Sequence, residues 1–269
     1  SGSSSSSSLS SLSSSASSIA NSLSNGLVAQ YRLDDGDAND SHGNNNGSIF
    51  GVVSSGGIAG GALNFNGDDY VQIAGLLNNP ANITISAWAN LTSSDTNGAE
   101  LISLGDHVGL RLQDPAESFG VSAFYHYANG QRIIRYGANY AGTGWHHFVY
   151  VVDDTANSQK LYVDGALAST TLYTDSIVYA GLGRNTFMGK HGNGNTNYDF
   201  NGSIDEVKIY NRALTAEEVS RLYSLPGINC EISGACALGY KTNLLNQIGA
   251  VLESIGQTIK QMFTIKKQR

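Results

Sequence analysis

Leu161-Tyr162-Val163-Asp164-Gly165-Ala166-Leu167 reads as two short strands joined by a two-residue turn. Asp-Gly is among the strongest hairpin signals, because both residues tolerate the positive φ angles that the favoured turn requires. The same grammar recurs on either side. Apolar and β-branched runs lie at 27–33, 62–65, 70–74, 83–91, 101–104 and 108–112, and again at 121–125, 133–136, 145–152, 160–163, 167–172 and 204–210. Short strands punctuated by glycine and polar turns predict a mostly β protein, a two-sheet antiparallel sandwich.

Composition agrees. Hydrophobic residues make up 41% of the 269, enough for a sizeable core, while charged residues are only 14%. Glycine is abundant (32), proline scarce (3), and the 14 tyrosines outnumber phenylalanine and tryptophan together. The formal net charge is -7, and no basic stripe is interleaved with aromatics, so nucleic acid is not an expected partner. One helix interrupts the strands: Thr215-Ala216-Glu217-Glu218 is a capping box, with Leu214, Val219, Leu222 and Tyr223 on its apolar side.

Several of these runs resemble the LamG-like domains of the laminin G and concanavalin A-like jelly-roll lectin/glucanase superfamily. Tyr31-Arg32-Leu33-Asp34 followed by Asp40-Ser41-His42-Gly43-Asn44 resembles the first strand and its turn. Gly61 to Val71 resembles a second signature, and Ile83-Thr84-Ile85-Ser86-Ala87-Trp88 the strand that carries a core tryptophan. Trp145-His146-His147-Phe148 with the 161–165 hairpin, and Gly202 to Leu214, complete the set in order. The resemblance covers residues 26–228. It implies a jelly roll in which the first strand lies beside the closing one, with Trp88 and Trp145 in the core.

Some jelly rolls are glycoside hydrolases, which need two carboxyl groups flanking the scissile bond. No strand carries acidic residues at i and i+2 in such an arrangement, and Asp205-Glu206 are adjacent, pointing to opposite faces. No Gly-x-Ser-x-Gly elbow is present. His146-His147 puts only one imidazole on each face and is read as structural. A non-catalytic protein is expected.

Asp35-Gly36-Asp37-Ala38-Asn39 begins like a calcium loop but lacks the turn glycine and closing glutamate of an EF-hand. A structural calcium ion held in the jelly-roll manner by Asp34, Asp40 and Asp205 is expected instead; the alternative is that Asp40 caps its turn and Asp205 binds backbone. A resemblance to pentraxins points to a ligand site shared by Asp95 and Asn97 with Asn193, Asn195, Asn197, Tyr198 and Asp199, without the pentraxin acidic triplet. Asparagine amides donate and accept at once, which suits sugar hydroxyls; an ordinary polar loop has the same composition. Tyr125, Tyr127, Arg132, Arg135 and Tyr136 form a third candidate surface, with sheet packing the simpler account.

Outside 26–228 the chain changes character. Residues 1–25 are serine-rich, yet Leu9, Leu12, Ala16, Ile19 and Leu23 are spaced 3, 4, 3 and 4. In residues 240–269 Leu245, Ile248, Leu252, Ile255, Ile259 and Met262 repeat that spacing, a heptad seam on an amphipathic helix. Three readings stay open: coiled association of the two helical arms within or between subunits, a serine linker beside a lone C-terminal helix, or a membrane-surface helix. The first is preferred, and no run is long and apolar enough to span a membrane. Between them, 229–239 is a linker in which Cys230 and Cys236 are expected to close a small disulfide loop, which implies an oxidising compartment. No signal peptide is seen, so a secreted, extracellular or cell-surface location rests on the cysteines and composition. Two functions follow as expectations: adhesion to a glycan or cell-surface ligand through the jelly roll, or a structural role as the subunit of a filament or bundle assembled through the arms.

Overall fold

The computed structural model describes residues 22–76, 78–114, 119–181, 183–230 and 236–238. The expected helical arms lie outside them, with Leu9, Leu12, Ala16, Ile19, Leu245, Ile248, Leu252, Ile255, Ile259 and Met262.

In chain order the strands are β1 (Leu27–Tyr31), β2 (Gly47–Phe50), β3 (Val53–Gly56), β4 (Gly61–Asn66), β5 (Tyr70–Ile73) and β6 (Ile83–Ser94). There follow β7 (Ala99–Leu104), β8 (Val108–Asp114), β9 (Phe119–Tyr127), β10 (Gly130–Tyr136), β11 (His146–Asp153) and β12 (Ser158–Val163). Last come β13 (Ala166–Leu172), β14 (Thr186–Met188), β15 (Phe200–Tyr210), helix α1 (Ala216–Ser224), β16 (Ile228–Cys230) and β17 (Cys236–Leu238).

One sheet runs β13-β12-β11-β6-β15-β4-β3, with β1 also on β15; the other runs β10-β9-β8-β7-β14-β5-β2. All pairings are antiparallel, as in a jelly roll. The first strand does lie beside the closing one: Ala29 pairs with Ile209 and Tyr31 with Val207. Strand β4 takes the other half of the same edge, from Asn201–Asn66 to Ile204–Leu63. The exchange falls at Asp205-Glu206, where the pairing with β6 shifts and Glu206 adopts φ 50.

The hairpin at 164–165 forms as its sequence dictates, with Asp164 at φ 49 and Gly165 at φ 76. Alternation sends Val71, Ile73, Leu101, Leu110, Ala123, Ile85 and Ile209 into the space between the sheets, where Phe65 and Phe200 meet edge to face at 5.9 Å. A second, smaller core lies under α1. Its capping box forms in full, and Val219 and Leu222 pack with Leu27, Val149, Tyr210 and Ile228. Pro226-Gly227 follows the helix, with Gly227 at φ 79.

Trp88 is buried as expected, under α1 with His147 (5.2 Å) and Tyr223 (5.5 Å) against it. Two expectations change here. Trp145 is only half-buried, because it precedes β11 and has no strand neighbour to cover it. Leu23, assigned to the N-terminal seam, is 0% exposed within the small core, so the domain begins before residue 26 and takes this leucine from the arm. Arg212 holds that entry: it donates to the carbonyls of Asn25 (2.6 Å) and Ser22 (2.7 Å) and grips Glu218 with two bonds of 2.8 Å.

Candidate functional site

Residues that alternate away from the core of the seven-stranded sheet build its outer face. On β5 these are Tyr70 and Gln72, on β14 Phe187, on β7 Glu100 and Ser103, on β8 Arg111, and on β9 Phe124. Loop 189–199 folds over the middle of this face.

Polar groups occupy the centre. Arg111 Nε donates to Glu100 Oε2 at 2.9 Å, and His191 stands between two carboxylates, Nδ1 3.4 Å from Glu100 and Nε2 3.2 Å from Asp106. Asn193 donates its amide to Asp106 at 3.1 Å. The Arg111 guanidinium covers the Tyr198 ring at 3.9 Å, a cation–π contact, and His191 packs on the same ring at 4.8 Å. Glu100 is 0% and Asp106 7% exposed, so both carboxylates are engaged with protein partners and closed to solvent. Gly109 makes room for them: a Cβ there would sit 2.4 Å from Glu100 Oε1 and from the Phe124 ring. Partial burial holds His126, at the margin of this cluster, below the ordinary histidine value, although the Asp106 charge pulls the other way.

An aromatic step borders the cluster. Tyr70 stacks on Phe50 at 4.5 Å with an interplanar angle of 15°, meets Phe187 edge-on at 6.0 Å, and carries Lys190 Nζ 4.4 Å above its ring. Phe50 and Lys190 thus both pack on the Tyr70 ring. The most exposed of these three rings is Phe50, 43% exposed on edge strand β2.

The two loops expected to share a ligand site do meet. Asn97 N donates to Asn197 O at 2.9 Å, and Asp95 bridges to Gly98. Much of the loop's polar capacity holds the loop itself: Asn195 Oδ1 accepts from Asn197 N at 3.0 Å, Asn193 Oδ1 from Asn195 N at 2.9 Å, and Asp95 from Thr96 N at 2.6 Å. Tyr198 is packed between Arg111 and His191. Asp199 is pushed up to about 6 by burial, against Lys190 and reinforced by Asp95 and Asp68, which brings these loops to the aromatic end of the face. Glu100, Asp106, Arg111 and Phe50 were missed by sequence reasoning. A glutamate inside the apolar run Ala99-Glu100-Leu101-Ile102 was the one visible signal.

At the seam where calcium is expected, Asp34, Asp40 and Asp205 each accept hydrogen bonds from backbone amides. Asp34 pairs with Arg32 and accepts from Gly61 N at 2.9 Å. Asp40 accepts from Gln30 N and His42 N at 3.0 Å and from Asn45 N at 3.1 Å. Asp205 accepts from Ile58 N (2.8 Å), Ala59 N (3.2 Å) and Glu206 N (2.7 Å); burial and the Glu206 carboxylate push it up to about 8 against those donors. Backbone amides therefore tie the seam between β1, β4 and β15. Among the described residues no group of three or more His, Cys, Asp or Glu side chains is placed to hold a metal ion.

The histidine pair divides between faces as expected. His147 is buried against Ser86 (2.9 Å) and lowered to about 3 by burial and then by Lys208, while His146 contacts Asp164 (2.8 Å) and Thr143 (3.0 Å) on the other side. In the third candidate surface Tyr125 is buried in the core, and Arg132 lies 4.5 Å over Tyr127 and pairs with Asp175, an arrangement of sheet packing.

Solved structures share this architecture. Domain 4 of AbnA, an extracellular GH43 arabinanase from Geobacillus stearothermophilus solved in complex with arabinotriose, is 21% identical with a TM-score of 0.58, covering 73% of this chain and 98% of that one. The binding domain of Paraclostridial Mosquitocidal Protein 1 is 18% identical with a TM-score of 0.60, covering 75% of this chain and 52% of that one. The binding domain of Botulinum Neurotoxin DC in complex with SialylT is 14% identical with a TM-score of 0.57, covering 76% and 52%. The chain thus spans about half the length of these toxin domains. No curated protein sequence matches it. The family model described as the concanavalin A-like lectin/glucanases superfamily matches residues 65–220, more than half of the chain, and the chain belongs to that superfamily.

Proposed function

We propose that this protein is a non-catalytic, extracellular carbohydrate-binding protein that lays a glycan against the aromatic end of the outer sheet face, between Phe50 and the paired loops 94–98 and 193–199. The observation that carries this reading is the exposed ring of Phe50, stacked on Tyr70, at the end of the face where Lys190 covers Tyr70 and Asp199 lies near Lys190. An exposed aromatic face packs on a sugar's C–H surface while nearby amides and charges order its hydroxyls. The carboxylates that would do hydrolytic chemistry on this face, Glu100 and Asp106, are enclosed by Arg111, His191 and Asn193. The arabinotriose and SialylT bound by two relatives of this fold support a sugar as the ligand class.

A glycan array followed by calorimetry on the best hit tests the reading. Phe50→Ala should weaken the hit at least tenfold while leaving thermal stability nearly unchanged, since the ring is on an edge and exposed. An array with no hit, or an unaffected Phe50→Ala, overturns it.

A second reading, self-association through the terminal arms, has its own observation in favour. Leu23 and Ile228, near the two ends of the domain, are buried in the same small core, and Gln30 donates to Ile228 O at 2.7 Å. Light scattering on the full chain and on one lacking residues 1–21 and 239–269 tests it; two monomers would end the idea.

A further inference from the structure

The turn 105–107 separates two environments. Asp106 faces the polar cluster, whereas His107 faces the other way, into a pocket of about 250 Å³ lined by Asn78, Asn79, His107, Tyr179, Arg184 and Thr186, together with Leu104 and three glycines. Its walls are held in place. Both His107 ring nitrogens face carbonyls, Val178 O at 3.0 Å and Gly183 O at 2.9 Å; Tyr179 donates to Pro80 O at 2.7 Å; and Gly105 N donates to Asn185 O at 2.9 Å. A site whose walls are already ordered binds with little entropy left to lose.

The charge in this pocket has no counterpart. Arg32, Arg111, Arg132, Arg212 and Arg221 are each paired with a carboxylate. Arg184 is exposed, and among the described residues no carboxylate pairs with it and no acid lines the pocket. A guanidinium fork matches a carboxylate with two parallel bonds, a geometry that a lone lysine does not offer. Around it stand the asparagine amides, which donate and accept as hydroxyls require. The volume is below the ~300 Å³ at which drug-sized pockets begin and suits one sugar ring.

We propose that this pocket is a second ligand subsite, distinct from the Phe50 face, that takes a single carboxylate-bearing sugar residue, a uronic acid, with its carboxylate on Arg184 and its hydroxyls toward Asn78 and Asn79. Only the choice of a sugar rests on the glycan reading; the charge and the pocket do not.

The test is titration of the full chain with glucuronate, galacturonate, glucose and acetate, followed by calorimetry and amide chemical shifts. A uronate should bind at least tenfold more tightly than glucose and acetate, shift the amides of Gly105, Gly183 and Asn79, and weaken as salt is raised. Arg184→Gln should reduce that binding tenfold or more without changing thermal stability. Equal binding of uronates and glucose, acetate binding as well as uronates, or full affinity in Arg184→Gln overturns the proposal. Phe50→Ala should leave uronate binding intact, so failure of the Phe50 face and failure of this pocket are read separately.

Discussion

Replacing Glu218 by glutamine should destabilise the domain by an amount that depends on pH. Burial alone would raise the Glu218 carboxyl, but hydrogen bonds from Arg212, Ser22 and the Thr215 amide outweigh it and hold the group at about 2, against an ordinary value of 4.5. The residue is 7% exposed, so solvent screens these contacts little. A carboxyl depressed on folding stabilises the native state above its unfolded value and loses that contribution as pH falls through its folded one. At about 1.4 kcal/mol per pH unit, the gap amounts to about 3 kcal/mol at pH 7 and about 1 kcal/mol at pH 3. For a domain of this size 1 kcal/mol moves the midpoint by roughly 2–4 °C, so Glu218→Gln should melt about 6–12 °C below the parent at pH 7. At pH 3 the difference should shrink to a few degrees. His147, lowered to about 3 by burial, also loses stability in acid, but equally in both proteins, and cancels. Circular dichroism melts of the two proteins at both pH values measure this. A difference that is the same at pH 3 and pH 7 would mean that the carboxylate's charge does not hold residues 22–25 to the helix, and would refute the reasoning.

Removing Glu100 should be more severe. It leaves Arg111, only 13% exposed, without its partner, and breaking such a pair costs about 3–5 kcal/mol; denaturant melts of Glu100→Ala check it. The register of β16 and β17 sets Cys230 opposite Cys236, so a thiol assay on the unfolded, unreduced protein is expected to find none free, and reduction to cost about 2 kcal/mol. Two titratable thiols would end that expectation. Because Asp34, Asp40 and Asp205 are occupied by amide donors, EDTA should leave the melting temperature unchanged; a drop reversed by calcium would place a metal at this seam after all.

The turn at Asp164-Gly165, the capping box at Thr215 and the strands that build the core were legible because their causes are local: backbone preferences, periodicity and side-chain size act over a few residues. Strands β2, β3 and β14 were not, being short and lacking a run of apolar alternation. The meeting of the 94–98 and 193–199 loops was anticipated through family resemblance, which carries tertiary information that composition lacks. The functional chemistry was harder to read. Glu100 and Asp106 share one stretch, but His191 comes from a distant one, and whether a carboxylate is open to solvent or enclosed by an arginine is a property of what packs on it. For the same reason the amides that bond to Asp34, Asp40 and Asp205 could not be read from the chain, because only the closed seam delivers them. The sequence by itself therefore determined the class of fold and the turns that punctuate it. The tertiary structure alone decided which polar groups are engaged and which, like Phe50 and Arg184, remain open, because burial and pairing depend on neighbours that are distant along the chain.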